Sequence, residues 1–444
     1  MFNPPFIQTI KDAGGRCLLV GGAVIDHINE LPIKDWDIEV YGLNYETLFE
    51  LMKQFGTPHI VGKAFGVIKI TIDSIDYDLS IPRKENLVGK GHKDFLCELL
   101  PDMTPAEAAN RRDLTINSMY LDLHSRQIID PCNGMDDLKY GIIRATNKKT
   151  FQEDPLRVLR IMQMLPRKGK SVAPETLDLC REMVDEFPHL SKERIMEEWK
   201  KLLLKAKKPS QGLEFLRESK WIQWFPELEQ LIGCPQNPLH HPEGDVWTHT
   251  LMAVDAAAGL KQQLPEEWRL AYMFGMLLHD TGKPGTTDPD TLKSHGHDKL
   301  GAEKAEAFMR RICDEKELIE RVTAIAELHM QPGFLYRGKS KPAAWKRLHN
   351  RMRLDVLSTV SKADALATGG INVKDKHKAA DLAMEHFQKL GDSPVAPVLL
   401  GRHLIEAGYK PGPEFAVMLK KAYEYQLDTG CEDLQELLDV ATKS

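Results

Sequence analysis

Residues 18–42 read LLVGGAVIDHINELPIKDWDIEVYG and carry a pair of glycines followed, thirteen residues later, by two acidic side chains. The apolar residues 17–20 predict a strand that enters a turn at Gly21 and Gly22. Glycine has no side chain, so the backbone of such a turn can come close to a phosphate group. The stretch therefore predicts a strand and a turn that can hold a phosphate.

Asp35 and Asp37 lie one residue apart at the start of a second predicted strand, residues 36–41, in which acidic and large apolar residues alternate. Positions i and i+2 of a strand project from the same face, so the two carboxylates would point at one spot. A hard cation such as Mg²⁺, which binds carboxylate oxygens together with substrate phosphates, would offset their repulsion. A polar edge strand after a glycine turn would show the same pattern, and the residues alone leave both interpretations open.

A third carboxylate lies in a predicted hairpin. Residues 67–79, VIKITIDSIDYDL, alternate in polarity and break at Asp73 and Ser74, which predicts two strands joined by a tight turn. Asp78 lies near the end of the second strand and is a candidate partner of the first acidic pair. A solvated strand residue is an equally good interpretation of Asp78.

The composition is that of an ordinary globular protein, with 42% hydrophobic and 28% charged residues among 444. No apolar run is long enough to predict a membrane span, and the N-terminus shows no secretory signal pattern. The seven scattered cysteines contain no C-x-x-C motif, so we expect reduced thiols and a cytoplasmic location. The net charge of −6 argues against a general nucleic-acid coat protein but leaves room for a local basic groove.

The order of patterns along the chain predicts an α+β architecture. Strand and helix signals mix in the first third, whereas apolar residues recur at helical spacing from about Glu153 onward. Pro-rich or Pro/Gly-containing stretches at residues 234–238 and 391–397 suggest boundaries. We predict an α+β head with a small mixed sheet, an all-helical neck and body, a second all-helical domain and a helical C-terminal extension, with boundaries 1–145, 146–234, 235–375 and 376–444.

Two segments carry groups suited to a nucleotide. In residues 110–121, NRRDLTINSMYL, two arginines beside Asp113 could grip a triphosphate, although adjacent arginines also mark solvated faces. Asp154 and Arg157 would share one face of a helix at i and i+3. They could form a surface ion pair, or they could present an acceptor and a donor to the edge of a base.

A lysine cluster follows these segments within nine residues. Such a cluster could track an RNA backbone, and a plain solvated helix would show it as well. Its members are Lys200, Lys201, Lys205, Lys207 and Lys208.

The order of the motifs closely resembles that of the bacterial tRNA nucleotidyltransferase and poly(A) polymerase family, class II. The resemblance spans about residues 15–205 and is carried, in order, by Gly21-Gly22 with Asp35-x-Asp37, Arg111-Arg112-Asp113-x-Thr115-x-Asn117, Asp130-Pro131 with Gly134 and Asp137-Leu138, Glu153-Asp154-x-x-Arg157, and Glu193-Arg194. The string GRHLIEAGYKPGPEF at residues 401–415 also resembles the tail of such enzymes.

This resemblance implies a two-metal nucleotidyl transfer with tRNA, CTP and ATP as partners. It implies that Asp35 and Asp37 hold Mg²⁺ and that Asp78 joins them as a catalytic carboxylate. It implies that Asp154 and Arg157 select the incoming base, supported by Glu153 and Arg194. The remaining nucleotide-binding residues that it implies are Gly21, Gly22, Arg112, Asp113, Asn117 and Arg160.

One position departs from the family pattern. Members usually carry arginine where this chain has Ile25, in the string GGAVIDH, although Asp26 is kept. A cation near the phosphates, or a local ion pair, is therefore missing. The departure puts the affinity for the triphosphate in doubt and leaves the chemistry unaffected.

A second set of candidate ligands lies in the later half of the chain. It consists of His249 in HPEGDVWTHT, His279 and Asp280 at the end of the apolar run AYMFGMLLHD, His297, His329 in ELHMQP and Asp364 in SKADAL. Imidazoles and carboxylates on separate predicted helices can converge on one or two divalent ions, whereas a lone histidine is more often a core or surface residue. The set resembles the HD superfamily of metal-dependent phosphohydrolases, and the string HHPEGDVWTHTLMAVD resembles the HD domain fused to some bacterial CCA-adding enzymes. The resemblance implies phosphatase and 2′,3′-cyclic phosphodiesterase chemistry at a divalent metal of unknown identity. It implies core ligands at His249, His279, Asp280 and Asp364, with His297 and His329 completing a two-metal site.

The sequence therefore predicts template-independent addition of CMP and AMP to the 3′ end of tRNA, joined to a phosphohydrolase. Two alternatives stay open. The head could add only A, as a poly(A) polymerase or a partial CCA enzyme does. It could also be a tRNA-binding module that serves the phosphohydrolase, and the isoleucine at position 25 motivates this alternative.

Overall fold

The computed structural model describes residues 4–33, 35–61, 66–87 and 95–443. The chain divides into two compact units, the first formed by residues 1–198 with 214–221 and the second by residues 199–213 with 222–444. Within the described residues the first unit is α+β and the second is built from helices. The α+β architecture predicted from the sequence is confirmed.

The strands all lie in the first unit of the described chain. They are β1 Arg16–Val20, β2 Trp36–Tyr41, β3 His59–Val61, β4 Val67–Ile72, β5 Ile75–Ser80, β6 Arg83–Leu87, β7 Phe95–Leu99, β8 Tyr120–Asp122, β9 Ile128–Ile129, β10 Ile142–Ile143 and β11 Ser171–Val172.

The helices run through both units. The first eleven are α1 Ile7–Asp12, α2 Gly22–Ile28, α3 Tyr45–Met52, α4 Pro105–Ala109, α5 Gly134–Tyr140, α6 Lys148–Gln152, α7 Leu156–Lys168, α8 Pro174–Glu182, α9 Lys192–Lys205, α10 Ser210–Glu218 and α11 Pro226–Glu229. The others are α12 Val246–Leu260, α13 Glu266–Leu278, α14 His297–Ile312, α15 Lys316–Leu328, α16 Gln331–Arg337, α17 Pro342–Arg351, α18 Leu354–Leu366, α19 Val373–Leu390, α20 Gly401–Glu406, α21 Glu414–Thr429 and α22 Leu434–Thr442.

The main sheet of the described head has the strand order β3-β4-β5-β2-β1-β8-β9. Its neighbouring strands are antiparallel except β2 and β5, which pair in parallel and place Asp37 opposite Asp78. Residues 17–20 of β1 are buried, as their apolar run predicts. The chain leaves β1 through Gly21 at φ 66°, a conformation that favours glycine, and α2 begins at Gly22. Three separate strands therefore bring the glycine turn and the acidic residues to one sheet.

The hairpin between β4 and β5 forms where the sequence predicts it. Asp73 and Ser74 occupy the turn with φ values of 51° and 63°. Both central residues of a type I′ turn have positive φ, and this turn matches the right-handed twist of the strands. The short parallel pair β10 and β11 adds a two-residue strand inside the otherwise helical part of the chain.

The core of the second unit is aromatic and aliphatic. Trp199, Phe225, Phe274 and Phe308 meet with ring centroids 5.2–6.3 Å apart. Helix α13 is buried along its last eight residues, so the residues that follow its end are held in the interior. Phe274 and Phe308 belong to α13 and α14, so this core packs two of the helices that carry the second set of candidate ligands.

Two candidate active sites

A cavity of about 450 Å³ opens in the first unit. It combines carboxylates from the sheet with arginines from loops and helices. Of the residues proposed from the sequence, its lining includes Gly21, Asp37, Asp78, Arg112, Asp113, Asp154, Arg157, Arg160 and Arg194. It also includes Glu39, Arg83 and Arg111, whereas Gly22, Asp35 and Asn117, although described, lie outside the lining.

The acidic residues of β2 and its approach lie on one side of the segment. Asp35 and Asp37 are exposed, whereas Trp36, which lies between them, and Ile38, which follows Asp37, are buried. Although Asp37 is accessible from the cavity, the surrounding protein partly desolvates its carboxylate and raises its pKa, and the carboxylates of Asp78 and Asp35 raise it further. The negative charges of these clustered carboxylates repel one another, and a hard divalent cation bound between them would offset that repulsion. These residues therefore fit Mg²⁺.

Glu39 is the next residue on that face and was not singled out from the sequence. Its carboxylate is 2% exposed and accepts hydrogen bonds from Arg111 at 2.6 Å, Arg112 at 2.9 Å and the Tyr41 hydroxyl at 2.9 Å. Burial acts to raise the pKa of Glu39, but the two guanidinium groups outweigh it and the net pKa is lowered. The alternation of Asp35, Asp37 and Glu39 was the signal that could have revealed it. Glu39 therefore fixes two arginines at the cavity wall.

Asp113 is held by an internal network. Its Oδ1 accepts from the Leu114 N–H at 2.8 Å and from Asn117 Nδ2 at 3.0 Å, and its Oδ2 accepts from Arg160 Nε at 2.6 Å. Burial acts to raise the pKa of Asp113, yet Arg160 and the hydrogen bonds bring it down to about 2. Asp113 thus orients Arg160 toward the cavity, and Asn117 supports Asp113 from behind.

Asp154 and Arg157 do not form the helical pair that their spacing suggested. Helix α7 begins at Leu156 after Pro155, because the residue before a proline is disfavoured in the helical conformation. The Asp154 carboxylate is gripped by both terminal nitrogens of Arg194 at 3.1 and 2.7 Å. Arg157 instead donates to the carbonyl oxygens of Thr150 at 2.6 Å and Arg111 at 2.8 Å. The structure brings both side chains to the cavity wall, with their orientations fixed by different partners.

Ile25, which stands where the family usually has arginine, is fully buried in α2. Its neighbour Asp26 pairs with Lys168 of α7 at 2.8 Å.

In the lysine cluster singled out from the sequence, Lys205, Lys207 and Lys208 are exposed, while Lys200 and Lys201 are half-buried.

The second candidate site is a cavity of about 400 Å³ in the second unit. Five of the six residues proposed from the sequence line it, and the sixth, His249, lies behind the lining in contact with Asp364. The six come from five helices or their ends. His249 lies in α12, His279 and Asp280 follow the end of α13, His297 begins α14, His329 follows α15 and Asp364 lies in α18. Asp280 contacts all four histidines, with Nε2–Oδ distances of 3.2 Å to His279, 3.5 Å to His297, 3.6 Å to His249 and 3.8 Å to His329.

Each of the four histidines has its Nδ1 fixed by an oxygen acceptor. His249 bonds the Glu243 carboxylate at 2.8 Å, and the other three bond backbone carbonyls of Met276, Ser294 and Ala326 at 2.7–2.8 Å. A neutral imidazole that donates from Nδ1 presents a lone pair at Nε2. All four Nε2 atoms therefore turn toward the centre of the site as acceptors.

These inward lone pairs lack donors among the described residues. The Nε2 atoms of His249 and His279 are buried and make no hydrogen bond there. His249 Nε2 lies 3.1 Å from Asp364 Oδ1, and the Nε2 atoms of His297 and His329 lie 3.3 Å apart. Acceptors that face one another at such distances repel unless a cation lies between them. The donor set thus fits divalent metal ions, in the two close groups His249–His279–Asp364 and Asp280–His297–His329.

Sequence reasoning missed the residues that support these ligands. Glu243 accepts from both His241 and His249 at 2.8 Å, which orients two rings at once. Lys283 contacts Asp280 at 2.7 Å, and Lys376 contacts Asp364 at 2.9 Å. The position of Glu243 six residues before His249 in HHPEGDVWTH was its only local signal.

Searching the described residues for a helix of sufficient length and hydropathy to span a bilayer yields none.

Three family models match the chain. A Poly A polymerase head domain matches residues 17–144, a probable RNA and SrmB-binding site of polymerase A matches residues 171–232, and an HD domain matches residues 246–369. The matches to residues 17–144 and 171–232 contain residues that line the first cavity, and the match to residues 246–369 contains residues that line the second.

Curated relatives match most of the chain. The multifunctional CCA protein of Neisseria gonorrhoeae (strain NCCP11945) is 37% identical over 316 residues, which cover 70% of this chain and 73% of the relative. The multifunctional CCA protein of Aromatoleum aromaticum is 36% identical over 329 residues, which cover 73% of this chain and 76% of the relative.

Solved structures share the fold at lower identity. The Bacillus stearothermophilus CCA-adding enzyme in complex with CTP is 22% identical with a TM-score of 0.68, covering 97% of this chain and 94% of that one. The Thermotoga maritima CCA-adding enzyme complexed with tRNA is 18% identical with a TM-score of 0.59, covering 99% and 95%.

Proposed function

The chain belongs to the family of multifunctional CCA proteins, and on this basis we propose that it adds CMP and AMP from CTP and ATP to the 3′ end of tRNA without a template. The observation that carries the proposal is the parallel pairing of β2 with β5, which sets Asp37 beside Asp78 in a cavity otherwise rich in arginine. Carboxylates for a cation and guanidinium groups for a triphosphate then share one wall. A cytoplasmic location accords with a tRNA substrate and with reduced cysteines.

Asp35, Asp37 and Asp78 are the residues that would hold Mg²⁺ in the head. When bound, the metal supplies Lewis acidity for the attacking ribose oxygen and positive charge for the leaving pyrophosphate. The backbone at Gly21, which lines the cavity, leaves open space there, since a Cβ atom at this position would meet nothing within 4 Å. A phosphate group can therefore approach the carboxylates closely.

The arginines of the cavity divide between two tasks. Arg111 and Arg112, held by Glu39, would bind the triphosphate through charge-assisted hydrogen bonds. Asp154 and Arg157 would meet the base edge, with Arg194 orienting the carboxylate. A bidentate match of this kind discriminates bases by about 1–3 kcal/mol per pair, which makes selection without a template feasible.

The wider organisation of the chain is proposed on the same basis. The head, neck and body, HD domain and C-terminal extension correspond to residues 1–145, 146–234, 235–375 and 376–444. The exposed Lys205, Lys207 and Lys208, with Lys200 and Lys201, would contact the tRNA backbone.

Single-nucleotide reactions test the transfer proposal. Labelled CTP and ATP are offered separately to a tRNA that lacks its whole CCA end and to one that ends in CC. We expect CMP on the first and AMP on the second, and loss of both in the Asp35→Ala, Asp37→Ala double variant. Incorporation of ATP alone would establish an enzyme that adds only A. Equal, negligible activity of wild type and double variant would leave the head as a tRNA-binding module, which the family relationship does not favour.

For the second cavity we propose metal-dependent phosphohydrolase activity on phosphate monoesters and 2′,3′-cyclic phosphates. The converging Nε2 atoms of four histidines, the buried Asp280 and the half-buried Asp364 support it. Because this cavity is lined by residues of the second unit alone, His279→Ala should abolish phosphate release from a cyclic phosphate while CMP addition continues. Loss of both activities together would contradict two independent sites.

A further inference from the structure

The rim of the second cavity carries an exposed aromatic ring. Phe334 in α16 is 48% exposed and lines the cavity together with the histidines on its floor. It is the single phenylalanine, tyrosine or tryptophan among the described residues of that lining. Because this exposed ring lines the cavity, it is placed to contact a molecule that enters there.

The ring is held at a fixed distance from the candidate metal ligands. Helix α16 begins two residues after His329, and the Phe334 N–H donates to the carbonyl oxygen of Met330 at 3.1 Å. The helix packs against α18, which carries Asp364, and against α19. The backbone between His329, a candidate metal ligand on the cavity floor, and Phe334 on the rim is therefore held in place. The site has two parts, the histidine floor and the aromatic rim.

Arg337 lies one helical turn further along the same rim. Its guanidinium is 5.3 Å from the centroid of the Phe334 ring, within the range of a cation–π contact. Nucleobases stack on aromatic rings and on arginine planes alike. A flat, uncharged base would therefore find two planar partners at this point of the rim.

The rest of the wall is suited to phosphate. Lys283, Lys293, Lys376 and His295 line the cavity, and two of these lysines pair with the aspartates of the site. A volume of about 400 Å³ falls within the range of small-molecule sites. The cavity thus offers positive charge near the floor and a planar surface at the mouth.

We propose that Phe334 and Arg337 form a base-stacking platform, and that the second cavity takes phosphate esters that carry a nucleobase. This inference rests on the proposed phosphohydrolase function and adds its specificity-determining residues. A phosphate ester without a base would reach the floor and gain nothing from the platform.

Two substrates that differ only in the base test the platform. They are adenosine 2′,3′-cyclic phosphate and 1-O-methylribose 2′,3′-cyclic phosphate, each hydrolysed by the full chain and by Phe334→Ala. We expect the variant to raise KM for the adenosine compound about 5- to 150-fold, the range produced by loss of one base–aromatic stack. Its kcat and its KM for the base-free compound should stay within about twofold of wild type.

Variants and a binding assay separate the outcomes. Phe334→Trp should restore the low KM, and Val417→Ala, which truncates a side chain 69% exposed on α21, should change nothing. Calorimetric titration with adenosine 3′-phosphate and its base-free analogue should show the same selective loss in Phe334→Ala, since binding in the head is common to both proteins. An equal change for both ligands, or none for the adenosine ligand, overturns the platform. Failure of wild type to cleave either substrate overturns the phosphohydrolase function, and the titration still decides the platform.

Discussion

Replacing Asp113 with asparagine tests whether the head depends on a buried ion pair that also aims an arginine at the nucleotide. The substitution keeps the size of the side chain and removes the charge that holds Arg160 at 2.6 Å. Asp113 is 7% exposed, so little solvent screening weakens the pair. We therefore expect loss of stability in the first unit together with a raised KM for CTP and ATP.

The magnitude follows from the pKa of Asp113. Its value of about 2, against an ordinary 3.8, corresponds to about 2 kcal/mol of stabilisation of the folded state. The folded-state pKa is the lower one, so this stabilisation is complete above about pH 4 and is lost as the pH falls toward 2. Wild type and Asp113→Asn should then differ by about 2 kcal/mol at pH 6 and by about 1 kcal/mol at pH 3.

Urea titrations at the two pH values, read by hydrogen exchange of peptides from the head, measure this difference. The matched control is Asp178→Asn, since Asp178 pairs with Arg181 at 2.9 Å but is 66% exposed. Such exposed pairs contribute at most about 1 kcal/mol, and the control should show no pH-dependent difference. A difference below about 0.5 kcal/mol between wild type and Asp113→Asn at pH 6, or one that grows on acidification, would refute the reasoning.

Three further outcomes follow from the two cavities. Glu39→Gln should raise KM for CTP and ATP more than it lowers kcat, because Arg111 and Arg112 lose the charge that fixes them; steady-state kinetics with both nucleotides checks this, and an unchanged KM would contradict it. Adding Mn²⁺ or Mg²⁺ to protein stripped with chelator should stabilise the second unit by about 3 kcal/mol at a hundredfold excess over Kd and so raise its melting temperature. A calorimetric scan without any shift of the melting temperature would count against a metal site there. Gly282→Ala should abolish phosphate release while CMP addition persists, because the new methyl group would overlap the carbonyl oxygen of His297; retained hydrolysis would show that the helix can yield.

Local pattern was sufficient for much of the molecule. The strand at residues 17–20 forms as its apolar run predicts, and the chain turns at Gly21 as the paired glycines predict. The hairpin at Asp73 and Ser74 forms as the alternation of polar and apolar residues predicts. The prediction that Asp154 and Arg157 share one face of a helix was wrong, because Pro155 delays the start of α7 and leaves Asp154 outside the helix.

The roles of the site residues stay predictions, but their placement has a clear physical origin. The resemblance to the HD superfamily implied the six ligands of the second cavity. The residues themselves pointed most clearly to His279 and Asp280, since adjacent polar groups after an apolar helix need partners once they are buried. Sequence reasoning missed Glu243, whose carboxylate orients two histidines, since its position six residues before His249 does not by itself reveal which side chains it will face.

The sequence by itself determined which segments become strands, turns and helices, and which of them carry acids, arginines and imidazoles, because these properties depend on residues two to four positions apart. Only the tertiary structure decided which of those groups meet. Glu39 reaches Arg111 across 72 positions, and Asp154 reaches Arg194 across 40. Such contacts depend on how strands pair and helices pack, and the same local pattern is compatible with many pairings until the core selects one.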